Sequence, residues 1–91
     1  MFLAKVKGNI VSTPKDKNLL GYKLLITQPI DFTGIYLSDK EVISIDLVDA
    51  GIGDIVLVVQ EGDAVQQILG NSATPVNTII VAIVDNIEIN D

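Results

Sequence analysis

The chain has 91 residues, enough for one small domain spanning residues 1–91 and no more. Its hydrophobic fraction is 48% and its mean hydropathy +0.47, yet the longest unbroken apolar run, Ile79 to Val84, falls far short of the roughly 18–20 residues that span a bilayer. A net charge of −6, with six lysines, no Arg and few aromatics, excludes a general nucleic-acid binder, which needs concentrated cations and stacking surfaces.

About a third of the residues are Val, Ile or Thr, whose stiff branched side chains favour strands. From Phe2 to Thr13 the apolar set Phe2, Ala4, Val6 and Ile10 alternates with Leu3, Lys5, Lys7 and Asn9. This spacing predicts a half-buried strand, with Gly8 a bulge or barrel corner. The same opening lacks the apolar core of a signal peptide, and the chain has no Cys, so it reads as cytoplasmic. Thr13 to Asn18 is a polar loop opened by Thr-Pro. Tyr22 to Gln28 is a second strand, stopped by Pro29, and residues 31–40 form an irregular excursion. Val42 to Val48 is a third strand, with Ile43, Ile45 and Leu47 on one face.

An acidic turn follows, Asp49-Ala50-Gly51-Ile52-Gly53-Asp54. Its two glycines allow φ > 0 and close backbone approach, as a sharp bend or a crowded symmetry axis requires. Asp54 to Gln60 is a fourth strand, apolar on both faces and therefore covered on both. Asp63 to Leu69 is the one helix expected: Asp63 caps it, Gln66 completes a capping box and Gly70 fits the C′ position. Val76 to Glu88 is a long last strand, apolar on both faces as far as Val84 and alternating from Asp85 to Ile89. Five strands and one short helix make an all-β domain. The expected architecture is a small Greek-key, OB-like barrel, whose closure removes exposed edges; a flat sandwich is the alternative.

The chain has no His and no Cys, hence no common general base and no soft metal ligand. No nucleophile motif, P-loop or dinucleotide fingerprint is present, and the expectation is a non-enzyme with no cofactor and no metal. Asp46, Asp49 and Asp54 could offer oxygen ligands to a hard cation, but they lack an EF-hand spacing and suit a turn and strand ends better. The hydrophobic content exceeds what one small core absorbs, because a chain of this size buries only about 60–65% of its unfolded surface. The surplus points to subunit interfaces.

Four segments, in order, resemble the pentameric vertex proteins of bacterial microcompartment shells, found in carboxysomes and ethanolamine-utilisation compartments. They are Ala4 to Thr13 with Lys15-Asp16, Leu20 to Pro29, Asp46 to Leu57 with its acidic–Ala-Gly-x-Gly–acidic signature, and Pro75 to Asp85. The sequence departs from the family pattern at Glu61-Gly62-Asp63-Ala64-Val65, where a basic residue is usual, and at Asn77, where Asp is common. The resemblance implies a homo-pentamer that closes the vertices of a polyhedral shell tiled by hexameric proteins, with no membrane and no nucleic-acid partner. It places the Asp49–Asp54 turn at the ring's pore or subunit interface, and it makes Thr13, Lys15 and Lys23 candidate contacts to neighbouring shell proteins. The competing class is a small OB-like module that binds a peptide or other ligand, resting on fold analogy alone.

Overall fold

The computed structural model describes residues 1–11, 21–60 and 76–89. Strands β1 (Phe2–Asn9), β2 (Lys23–Pro29), β3 (Val42–Asp46), β4 (Ile55–Val59) and β5 (Ile79–Ile83) close into a barrel in the order β1-β2-β3-β5-β4. Every pairing is antiparallel except β3 with β5, which is parallel and spans only Ile45↔Ile79 and Asp46↔Ile80. This is the expected five-stranded, OB-like barrel. No described residue is helical; the helix expected over Asp63–Leu69 lies outside the described residues.

The barrel interior is filled by Ala4, Val6, Leu25, Val56, Val58 and Ile80, none more than 1% exposed, with Ala50 from the turn after β3. A second cluster, Leu24, Ile45 and Ile79, packs with Ile10, Tyr22, Val76 and Val81. The adjacent residues Ile79 and Ile80 thus enter different clusters, which is why this stretch reads as apolar on both faces. The bulge expected at Gly8 is present: the β1–β2 register slips between Val6 and Gly8. One extra residue shifts the side-chain parity of a strand. That is why Ile10, in phase with Val6 by simple alternation, joins the second cluster instead of the interior.

The structure departs from simple alternation most clearly in β3. Ile43, Ile45 and Leu47 do share a face, but Ile43 and Leu47 are 49% and 43% exposed, while Ser44 and Asp46, on the opposite face, are buried. Polar residues occupy the inner face because their hydrogen bonds are supplied there. Thr27 Oγ1 donates to the Val42 carbonyl at 2.9 Å and lies 3.4 Å from Ser44 Oγ. Ser44 donates to Thr78 Oγ1 at 3.1 Å, and Thr78 donates to the Ile43 carbonyl at 2.6 Å. This buried hydroxyl chain crosses from β2 through β3 to the residue before β5, at the seam where the barrel has its shortest ladder. The Ile45 amide adds a bond to the Thr78 carbonyl at 2.9 Å.

Residues 31–40 are exposed, but the first part of this excursion is a defined turn. Asp31 Oδ1 accepts from Thr33 Oγ1 at 2.6 Å and from the amides of Thr33 and Ile35 at 2.8 and 3.0 Å. These bonds, led by the Thr33 hydroxyl, hold the Asp31 carboxyl below the usual carboxylate range. The last strand is shorter than its pattern. It ends at Ile83, and after the Val84 amide bonds to the Ile55 carbonyl at 2.8 Å the chain leaves the barrel.

The hydroxyl chain makes a direct prediction. Thr78→Val keeps the shape but removes the link between Ser44 and the Ile43 carbonyl. The unpaired buried groups that remain cost about 1–3 kcal/mol. Urea denaturation should show a lower midpoint for Thr78→Val with an unchanged slope; an unchanged midpoint would mean that the chain of hydroxyls contributes nothing to closure.

Candidate functional site

The acidic turn is built around one buried carboxylate. β3 stops at Asp46, whose side chain is fully buried. Asp46 Oδ1 accepts from the Val48 amide at 3.1 Å and Oδ2 from the Ala50 amide at 2.8 Å. A carboxylate that captures backbone N–H groups two and four residues on competes with the strand ladder. This ends β3 short of the expected Val48 and bends the chain into the turn.

Lys23, the first residue of β2, lies directly across the ladder from Asp46. Its Nζ sits 3.4 Å from Asp46 Oδ2 and 3.3 Å from Asp49 Oδ1, and donates to the Ala50 carbonyl at 2.7 Å. Desolvation pulls the Lys23 pKa down, but the hydrogen bonds to Asp49 and Asp46 and their charges outweigh it, and the pKa is raised above the ordinary lysine value. The positive charge beside Asp46 and Asp49 is therefore a lysine of the same chain. Among the described residues, no group of three or more acidic, His or Cys side chains is arranged to hold a metal ion.

The rest of the turn is fixed from its other end. Asp54 Oδ2 accepts from the Gly51 amide at 2.8 Å, and the Asp54 amide donates to the Gly51 carbonyl at 3.0 Å. The Gly53 amide donates to the Val6 carbonyl and the Val6 amide to the Asp54 carbonyl, each at 2.9 Å, which extends the β1–β4 ladder into the turn. Positive φ falls on Gly53 (94°) and on Asp49 (59°), and not on Gly51, contrary to the reading that both glycines serve this purpose. A Cβ at Gly53 would meet nothing within 4 Å, so its requirement within one chain is conformational alone. Ala50 is buried in the core, whereas Asp49, Gly51, Ile52 and Gly53 are exposed.

Of the other residues singled out, Thr13 and Lys15 lie outside the described residues. Lys23, expected as a contact to neighbouring shell proteins, directs its ammonium onto the turn while its side chain stays 41% exposed. Sequence reasoning did not join Lys23 to Asp46; the signal available was a single charge at the end of each of two neighbouring apolar strands, and it becomes informative only when the register is known.

The comparisons with known proteins agree with this fold. Residues 1–85 match the family model for ethanolamine utilisation protein EutN/carboxysome. The chain is 44% identical over 91 residues to the carboxysome shell vertex protein CcmL of Nostoc sp., covering 100% of this chain and 89% of that protein. Among solved structures it is similar to CcmL of Gloeobacter violaceus, with a TM-score of 0.84 at 30% identity, covering 99% of this chain and 91% of that chain. It is also similar to the GrpN pentameric microcompartment shell protein from Rhodospirillum rubrum, with a TM-score of 0.82 at 34% identity, covering 99% of this chain and 100% of that chain.

Two predictions follow from the turn itself. Gly53→Ala forces a side chain into the left-handed region, at about 1–2 kcal/mol. Gly51→Ala should be nearly neutral, since its φ is ordinary and a Cβ there would meet only Asp54 Oδ2 at 3.8 Å. Equal thermal midpoints for the two variants would contradict this account. Lys23→Gln should lower stability at neutral pH. Because the folded pKa of Lys23 is raised, its contribution is complete below the unfolded value near 10.5 and is lost as pH rises through the folded pKa. The stability gap between parent and variant, measured by urea unfolding, should therefore be constant from pH 7 to 9 and close at higher pH.

Proposed function

We propose, since the chain belongs to the ethanolamine utilisation protein EutN/carboxysome family of shell vertex proteins, that residues 1–91 act as a single vertex domain. Five copies form a ring that closes a vertex of a polyhedral bacterial microcompartment in the cytoplasm. A sheet of hexamers is flat, and curvature into a closed polyhedron requires five-fold pieces. The role is geometric: sealing an enclosed pathway, without catalysis and without a cofactor.

The observation that carries this reading is the apolar surface left over when the barrel is complete. The outer residues of β4, expected to be covered, are only half-buried at Ile55, Leu57 and Val59. Nearby, Ile52, Ile83 and Ile89 are 65%, 38% and 62% exposed. A cyclic ring buries such surface through a heterologous contact, in which two different patches of the same chain meet. The barrel interior is filled by its own side chains, which counts against the competing ligand-binding reading.

Within the ring we place the Asp49–Asp54 turn at the pore or subunit interface. Its support is the exposed tip at Ile52 on a loop pinned at both ends, by Asp46 and by Val6. Thr13, Lys15 and Lys23 remain proposed contacts to neighbouring shell proteins, and Lys23 also holds the turn in shape.

Native mass spectrometry of the purified protein at micromolar concentration should show a pentamer that persists at high salt, because burial rather than ion pairing drives it. A monomer would sink the shell reading. Ile52→Lys should leave the barrel's thermal unfolding intact and shift the spectrum toward smaller species; a full complement of pentamer would move the turn away from the ring contacts.

A further inference from the structure

We propose that the segment after β5, residues 85–89, docks onto a groove of the neighbouring copy, with Ile87 and Ile89 in the groove and Asp85 facing Lys5; this rests on the ring reading above. Residues 85–89 leave the barrel without a backbone partner among the described residues. Asn86 Nδ2 donates to Glu88 Oε1 at 3.4 Å, which puts these two side chains together, and extended alternation assigns Asp85, Ile87 and Ile89 to the other side. Ile89 is 62% exposed and Ile87 37%. A strand-like stretch with its apolar side unburied is one half of a contact.

The other half lies at the opposite end of the β1–β4 ladder. The segment departs beside Ile55, which pairs with Lys5, whereas the groove lies at the Phe2↔Val58 end. The groove has a volume of about 300 Å³, room for two branched aliphatic side chains, and Leu3, Ile30, Phe32 and Leu37 are among its walls. Asp31 also lines it, but its Oδ1 is engaged by Thr33 and Ile35 of its own loop. Along the outer row of β1, Leu3 is followed by Lys5 and Lys7. Lys7 is held by Tyr36, with Nζ 3.2 Å from the phenol oxygen and 4.8 Å from the ring centre. Lys5 has no acidic partner among the described residues.

Both rows have a two-residue period. An antiparallel approach in the register that sets Asp85 against Lys5 brings Ile87 and Ile89 to Leu3 and the groove beyond it. The two patches are different surfaces of one chain, as a closed ring demands. The departing segment is also continuous with the Asp49–Asp54 turn, since Ile55 follows Asp54 directly.

The test is charge exchange, read by native mass spectrometry, with circular dichroism to confirm that each barrel is folded. Asp85→Lys and Lys5→Asp should each weaken ring association at least tenfold, and the double variant should recover most of it. Ile87→Asp combined with Ile89→Asp should yield folded monomers. If the parent is a pentamer and these variants remain pentamers, the docking is wrong and the ring stands on other contacts. A monomeric parent overturns both readings. Variants that keep the ring but lose co-assembly with a hexameric shell protein assign the groove to that partner and overturn the proposal.

Discussion

The Asp46 carboxylate is the constraint on which the site depends. It is a buried charge, and a buried charge without partners costs several kcal/mol. Two amides and one ammonium meet that demand, and each partner fixes a different part of the structure. The Val48 and Ala50 amides set where β3 ends and how the turn begins. Lys23 ties the start of β2 to the same point and reaches on to Asp49 and the Ala50 carbonyl. The turn is therefore a rigid projection of the barrel, able to keep one shape when another surface is pressed against it.

The barrel meets a second demand at its seam. The parallel β3–β5 contact is the shortest ladder of the barrel, two residue pairs long. The hydroxyls of Thr27, Ser44 and Thr78 add a chain of bonds across it, inside the barrel, where low dielectric strengthens each bond and makes an unpaired group costly. Outside, Ile45 and Ile79 pack against each other's neighbours in the second cluster. Closure here rests on a polar zipper on one side and an apolar seal on the other.

What the sequence made legible follows the range of the interactions involved. Strand existence, the Gly8 bulge, the double-faced apolar character of Ile79–Ile80 and the acidic turn all depend on residues close together in the chain. The inward placement of Ser44 and Asp46 does not. Ser44 meets the hydroxyls of Thr27 and Thr78, and Asp46 adds the Lys23 ammonium of β2 to two amides of its own turn; without such distant partners a polar residue in an alternating strand reads as outward-facing. The pairing of Lys23 with Asp46 was not legible for the same reason: the two residues are 23 apart in the chain and become adjacent only through the β2–β3 register. The bounds of the last strand were overestimated because residues 84–89 carry a strand pattern while β5 ends at Ile83, and pattern alone does not say which chain supplies a partner.

Charge imposes the final condition on any ring built from this chain. Each copy carries −6, so gathering copies about an axis concentrates like charge. Two unit charges 4 Å apart repel by about 1 kcal/mol in water and about 4 kcal/mol at the effective dielectric of a protein surface. A turn presenting Asp46, Asp49 and Asp54 unneutralised would make close approach prohibitive. Lys23 lowers the charge of its cluster with Asp46 and Asp49 from −2 to −1, and Asp46 is buried besides. At the tip stand Ile52 and the hydrogens of Gly51 and Gly53, beside the exposed Asp49 side chain, whose charge Lys23 meets. In the proposed ring the internal ion pair, a modest contributor to the stability of one barrel, has its larger consequence outside it, where it lowers the like charge that a second copy would meet at the turn.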